Sequence, residues 1–289
     1  MEAYALTDTG RVRTMNQDYI YSSPEKVGSL PNLFLVADGM GGHRAGDYAS
    51  RFAVENLVIY INRAGDGSPV MQLKKGIETV NGMLYEESLK REELKGMGCT
   101  LVAGVVEDNI LYVANVGDSR LYLIHGDSIR QVTRDHSYVE EMVAIGQMRR
   151  GSEDYNRRKN IITRALGIGR EVEPDFFEVD LEDGDYILLC SDGLSNMLED
   201  QSMYEIITGE GSLKEKAALL IEEANRQGGI DNIAVVLVNP AGREAGVCQL
   251  PEHISRTGMR FWSGLDQAAC LWCIRHVAIP WTAWWPSRY

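Results

Sequence analysis

Four acidic residues of this chain stand where an apolar run meets glycine or a tight turn. They are Asp38 in LFLVADGMGGH, Asp118 in NVGDSR, Asp192 in YILLCSDG and Asp231 in GGIDNIAVVLV. A single Asp-Gly of this kind is ordinarily a turn former, and four independent turn formers remain one reading. The sharper reading is a set of carboxylates converging at the ends of central strands to hold hard divalent ions. Mg²⁺ and Mn²⁺ favour carboxylates, carbonyls and water, and keep several waters when few protein ligands are supplied. Gly39, next to Asp38, would let a main-chain carbonyl approach an ion with no side chain in the way. Arg13, in RVRTMNQD, adds a guanidinium able to hold phosphate oxygens bidentately.

Such acids need strands to carry them. Apolar alternation and β-branched runs predict strands near 3–8, 18–22, 33–37, 100–106, 110–116, 120–125, 128–132, 175–180, 186–190 and 233–238. Helical spacing appears in Ala45 to Arg63 (Ala49, Phe52, Ala53, Leu57, Tyr60) and in Val70 to Leu94 (Leu73, Ile77, Val80, Leu84, Leu89). It appears again in Ser212 to Gln227, which opens on a serine cap and stops at Gly228-Gly229. Helices in consecutive pairs and strands in runs do not make the alternation of a doubly wound sheet. The expected class is α+β, with antiparallel sheets packed on one another and helices outside. Residues 137–160 carry charges and glycine with little period and read as a flap over the fold.

The 289 residues carry a formal charge of −13 with no basic stripe, which argues against nucleic acid and anionic membrane as partners. The first residues lack the apolar segment of a secretion signal, and no apolar run approaches the ~18 residues of a membrane span. Five cysteines without framework spacing suggest reduced thiols, and the expected compartment is the cytoplasm. After Pro240 the composition changes: all five tryptophans (262, 272, 281, 284, 285) follow, and the local charge turns positive. Residues 1–240 are therefore expected to form the main domain, with 241–289 an atypical tail outside it. The lone C-x-x-C there, CLWC at 270–273, is too little for a metal or redox site.

Eight motifs now stand in a telling order: RTMNQD (13–18), DGMGGH (38–43), GCTL (98–101), NVGDSRLY (115–122), TRDHS (133–137), ITRALG (162–167), LLCSDGL (188–194) and GGIDNIAVVLV (228–238). Over roughly residues 1–240 the chain resembles the PP2C (PPM) family of metal-dependent Ser/Thr protein phosphatases, in its bacterial branch. The resemblance implies a four-layer α-β-β-α sandwich, two antiparallel sheets flanked by helix pairs, with two Mn²⁺ or Mg²⁺ ions at one end. Carried over by motif, Asp38 bridges both ions, the Gly39 carbonyl serves the second, and Asp192 and Asp231 hold the first. Asp18 holds metal-bound water, Asp118 with Asp192 forms a weaker third site, and Arg13 binds the substrate phosphate.

Two such cations roughly 4 Å apart lower the pKa of a shared water, which can attack phosphorus without a phosphoenzyme. The implied activity is hydrolysis of phosphoserine and phosphothreonine in proteins, by a cytoplasmic monomer that opposes a Ser/Thr kinase. Two departures from the family stand out. Met40 replaces the histidine that follows Asp-Gly in eukaryotic members, so either His43 or a metal-bound water is the candidate proton donor; and YNRRKN replaces the His-Pro pair common in the flap. The flap cations Arg149, Arg150, Arg157, Arg158 and Lys159 could draw an acidic phosphopeptide or simply face solvent, while His136 is expected to cap or pack. No cysteine satisfies C-x5-R, and neither the calcineurin-like metallophosphatase motifs nor a P-loop is present. The competing class is a catalytically inactive sensor or scaffold on the same fold.

Overall fold

The computed structural model of the chain describes residues 1–42 and 45–242, so His43 and the tail from 243 onward lie outside the described residues. The chain order is β1 (Glu2–Asp8), β2 (Asp18–Ser23), β3 (Leu33–Met40), α1 (Ala45–Arg63), α2 (Pro69–Lys90), β4 (Gly98–Cys99), β5 (Leu101–Glu107), β6 (Ile110–Val116), β7 (Arg120–His125) and β8 (Ser128–Gln131). It continues with α3 (Tyr138–Ala144), α4 (Glu153–Arg158), β9 (Asp175–Asp180), β10 (Tyr186–Cys190), α5 (Asp192–Ser195), α6 (Asp200–Thr208), α7 (Leu213–Arg226) and β11 (Ile233–Asn239). Among the described residues no helix is long and apolar enough to cross a membrane.

Two antiparallel sheets result, one in the order β1-β11-β10-β7-β8 and one in the order β2-β3-β5-β6-β9, with β4 paired to β3. The period-2 alternation of side chains explains how they stack. In β3, Phe34 and Val36 join Val102, Val113, Leu121, Leu189 and Val236 in the core between the sheets. Leu33, Leu35 and Ala37 point the other way, against Ala49, Leu57, Leu73 and Ile77 of α1 and α2. Likewise Tyr122, Leu188 and Leu237 turn outward to Met203, Ile207, Leu220 and Ala224 of α6 and α7. A strand buried on both faces needs apolar residues at nearly every position, which is why LFLVA and IAVVLV read as continuous runs.

The expected strands are present, and α1 and α7 match their patterns; α7 carries the Ser212 cap with Glu215 completing a capping box. The structure differs elsewhere. β3 continues to Met40, so Asp38 lies within the strand, opposite Asp18 in the β2–β3 register. The glycines after it had read as a turn. α2 ends at Lys90, and Leu89 is exposed where the spacing had placed it on the packed face. Within residues 137–160 stand two short helices, α3 and α4, capped by Ser137 and Ser152. α5 and α6 are also helices beyond those that the spacing predicts.

Candidate active site

The acids of the sequence reading come together where both sheets end. Asp18 opens β2 and faces Asp38 across the ladder. Asp118 sits in the turn from β6 into β7, Asp192 starts α5 directly after β10, and Asp231 precedes β11. Side-chain hydroxyls tie these segments together. Ser191 Oγ donates to Asp18 Oδ2 at 2.7 Å and accepts the Ala234 N–H at 2.9 Å, fixing Asp18 to the strand ends of the other sheet. The Asp38 N–H donates to Thr100 Oγ1 at 2.9 Å, and that hydroxyl pairs with Ser119 Oγ at 2.7 Å, beside Asp118.

Enclosing so many carboxylates is unfavourable unless something offsets their charge. Burial, then repulsion from Asp192 and Asp231, pushes the Asp18 pKa up to about 8, despite the hydrogen bond from Ser191. Asp38 is driven well above the usual carboxylate range by burial and by the charges of Asp18, Asp192, Asp118 and Asp231. Burial and Asp192 lift Asp118 to about 8, and burial with Asp231 raises Asp192.

A divalent cation fits this donor set. Asp18 Oδ1 and Asp192 Oδ1 are buried with no hydrogen-bond partner, the orphaned acceptors that a metal satisfies. Among the described residues no group of three or more such side chains closes directly around one ion position. Mg²⁺ and Mn²⁺, which dehydrate reluctantly, do not require that closure, since water completes their octahedron. Gly39 is packed so tightly that an added Cβ would meet the Gly46 carbonyl oxygen at 2.1 Å, and its N–H donates to the Gln17 carbonyl at 3.0 Å. No larger residue fits between Asp38 and the start of α1.

Arg13 reaches the same place from the β1–β2 loop. Its Nη2 donates to Asp231 Oδ2 at 2.8 Å while the side chain keeps 52% of its surface exposed. That hydrogen bond, together with the nearby Asp38 and Asp192, raises its pKa and keeps the guanidinium charged. A cation half in solvent beside converging acids suits an anionic ligand.

Asp118 and Asp192 also line a cleft of about 160 Å³ under the flap, with Arg120, Asp135, Tyr155 and Asn160. Lys159 Nζ donates to Asn196 Oδ1 at 2.7 Å, and Asn196 Nδ2 donates to Asp192 Oδ2 at 2.9 Å. Most of the flap cations are thus occupied: Arg150 binds Glu140, Arg157 binds Glu153, and Arg158 lies over the Tyr138 ring. His136 packs, as expected, with Nδ1 accepting the Gly117 N–H at 3.0 Å and Nε2 3.1 Å from Asp175. Sequence reasoning assigned no role to Ser191, Thr100 or Asn196. Only Asn196 carried a usable signal, its spacing of four from Asp192, which places both side chains on one helical face.

Comparison with known proteins supplies the remaining findings. The family model described as "Protein phosphatase 2C" matches residues 8–233. The chain is 42% identical over 246 residues to the "Serine/threonine phosphatase stp" of Listeria innocua serovar 6a, covering 82% of this chain and 95% of the relative. It is 40% identical over 244 residues to the "Protein phosphatase PhpP" of Streptococcus pneumoniae serotype 2, covering 83% and 97%. Among solved structures, Serine/threonine phosphatase Stp1 from Staphylococcus aureus superposes with TM-score 0.76 at 32% identity, covering 83% of this chain and 95% of that one. The catalytic domain of the serine threonine protein phosphatase PstP, in complex with two manganese ions, gives TM-score 0.71 at 33% identity, covering 81% and 96%.

Proposed function

The chain belongs to the protein phosphatase 2C family, and from that premise we propose how its own residues hydrolyse phosphoserine and phosphothreonine. It is a metal-dependent protein-serine/threonine phosphatase. The observation that carries the proposed site is the convergence of Asp18, Asp38, Asp118, Asp192 and Asp231, with buried oxygens of Asp18 and Asp192 left without partners.

Asp38, Asp192, Asp231 and the Gly39 carbonyl would hold two Mn²⁺ or Mg²⁺ ions, and Asp118 with Asp192 a weaker third. When bound, the ions lower the pKa of water and offset charge on the phosphoryl oxygens. Asp18, fixed by Ser191, orients water at the centre. Arg13 shifts from Asp231 to the phosphate and aligns it for in-line attack. No side chain becomes phosphorylated. His43 supplies the proton to the departing serine or threonine alkoxide.

Residues 1–240 carry this chemistry, in a cytoplasmic monomer that reverses the action of a Ser/Thr kinase. An inactive sensor is the weaker reading, because none of the acids is missing. Phosphate release from phosphoserine and phosphothreonine peptides is expected in Mn²⁺ and is expected to stop in chelator. His43→Gln should slow those peptides more than p-nitrophenyl phosphate, whose leaving group needs no proton. Peptide hydrolysis indifferent to chelator would contradict the reading.

A further inference from the structure

The segment between β1 and β2, residues 9–17, carries Arg13 but has no regular structure to shape it. Several of its hydrogen bonds run to the residues just before β11. The N–H groups of Arg11 and Val12 both donate to the Gly229 carbonyl, at 2.7 and 3.2 Å. Gly10, at φ +77°, lets the loop lie directly on this stretch; a Cβ there would stand 2.2 Å from the Asp231 carbonyl oxygen. The Asn232 side chain makes the other contacts. Its Nδ2 donates to the carbonyls of Thr9 and Met15, each at 2.9 Å, and its Oδ1 accepts the Gln17 N–H at 2.8 Å. Asn232 is 4% exposed, and both its amide hydrogens and its oxygen are engaged.

We propose that Asn232 is the positioning residue for Arg13. This rests on the reading of Arg13 as the phosphate ligand. One amide gathers the start, the far side and the end of the loop and fastens them beside Asp231, so that the half-exposed guanidinium projects over the acids. A long side chain with half its surface in solvent does little to place itself, and its aim is set by the backbone that bears it. The Asn232 main-chain N–H also donates to Asp231 Oδ1 at 2.9 Å. That contact does not depend on the side chain, so a substitution at 232 separates loop placement from the orientation of Asp231.

The test uses the full chain with saturating Mn²⁺, p-nitrophenyl phosphate as substrate and inorganic phosphate as inhibitor. Asn232→Leu keeps roughly the same shape, adds no charge and removes all three bonds. It is expected to raise KM and the phosphate inhibition constant about tenfold, as loss of a charge-assisted hydrogen bond does. Arg13→Ala should do the same, and the double variant should be little worse than Arg13→Ala alone. Mn²⁺ affinity by calorimetry should be unchanged, and the Arg11, Val12 and Gln17 amides should exchange faster with solvent. Gly10→Ala, which pushes the same loop away from Asp231, should repeat the pattern even if Asn232→Leu folds poorly.

Additive KM defects in the double variant, or a parallel loss of Mn²⁺ affinity, would overturn the positioning role. An Arg13→Ala variant with unchanged KM and phosphate inhibition would overturn the phosphate-ligand reading instead. The amide exchange rates distinguish that outcome from a failure of the clamp.

Discussion

Asp18 and Asp118 each have a pKa pushed up to about 8, and Asp38 stands well above its ordinary value. In the unfolded chain these carboxyls titrate near the ordinary ~3.9. Because the folded values are raised, the metal-free native state binds more protons than the unfolded state at intermediate pH. Its stability is full below about pH 4 for these groups and is lost as pH rises through about 8. With chelator present, the melting temperature should therefore fall between pH 5 and pH 8. Added Mn²⁺ should raise it most at the upper end, where the carboxylates are free of protons to displace. A melting temperature that climbs over this range in chelator, or ignores Mn²⁺, would mean that the acids do not repel one another as the structure implies.

At the scale of elements, α5 does more than terminate β10. Its first residue is Asp192, and Asn196 at its end returns to hold Asp192 Oδ2. Removing a hydrogen-bond partner of a metal ligand ordinarily weakens metal affinity by 10- to 100-fold. Asn196→Ala should accordingly weaken Mn²⁺ binding by about tenfold in calorimetry, and an unchanged isotherm would show that the bond has no bearing on the centre. What was legible in the sequence follows from element length. The strands announced themselves because burial on both faces forces continuous apolar runs, and α1 repeats its spacing over nineteen residues. α3 and α4 span seven and six residues, fewer than two turns, so no period can show. The extension of β3 was hidden because Gly39 reads as a turn residue when its neighbour Gly46 is not in view.

The site divides in the same way. Asp38, Asp118, Asp192 and Asp231 were legible because in the sequence each stands beside an apolar run and glycine or a turn, while Asp18 was given only by the family resemblance. The partners of these acids were not legible, because a hydroxyl or amide acquires its role only through the fold. Ser191 meets Asp18 across 173 positions of sequence, and Asn232 meets Gln17 across 215.

For the whole molecule, the described sandwich is complete once β11 has paired with both β1 and β10, and β11 ends at Asn239. Every acid of the proposed centre precedes that point. A chain truncated after Pro240 should keep Mn²⁺-dependent turnover of p-nitrophenyl phosphate close to that of the intact protein. Loss of turnover in a folded truncation would give the tail a part in the chemistry.

The most direct test of the central claim is hydrolysis of p-nitrophenyl phosphate as a function of Mn²⁺ concentration, for the intact chain and for Asp38→Asn. If Asp38 joins the ions that activate water, the intact chain gives saturable, metal-dependent turnover. The variant, which folds at least as well because a repelled charge is gone, then loses activity by at least about a hundredfold, as expected when a preorganised electrostatic group is removed. Comparable turnover in the folded variant at saturating Mn²⁺ would contradict the account.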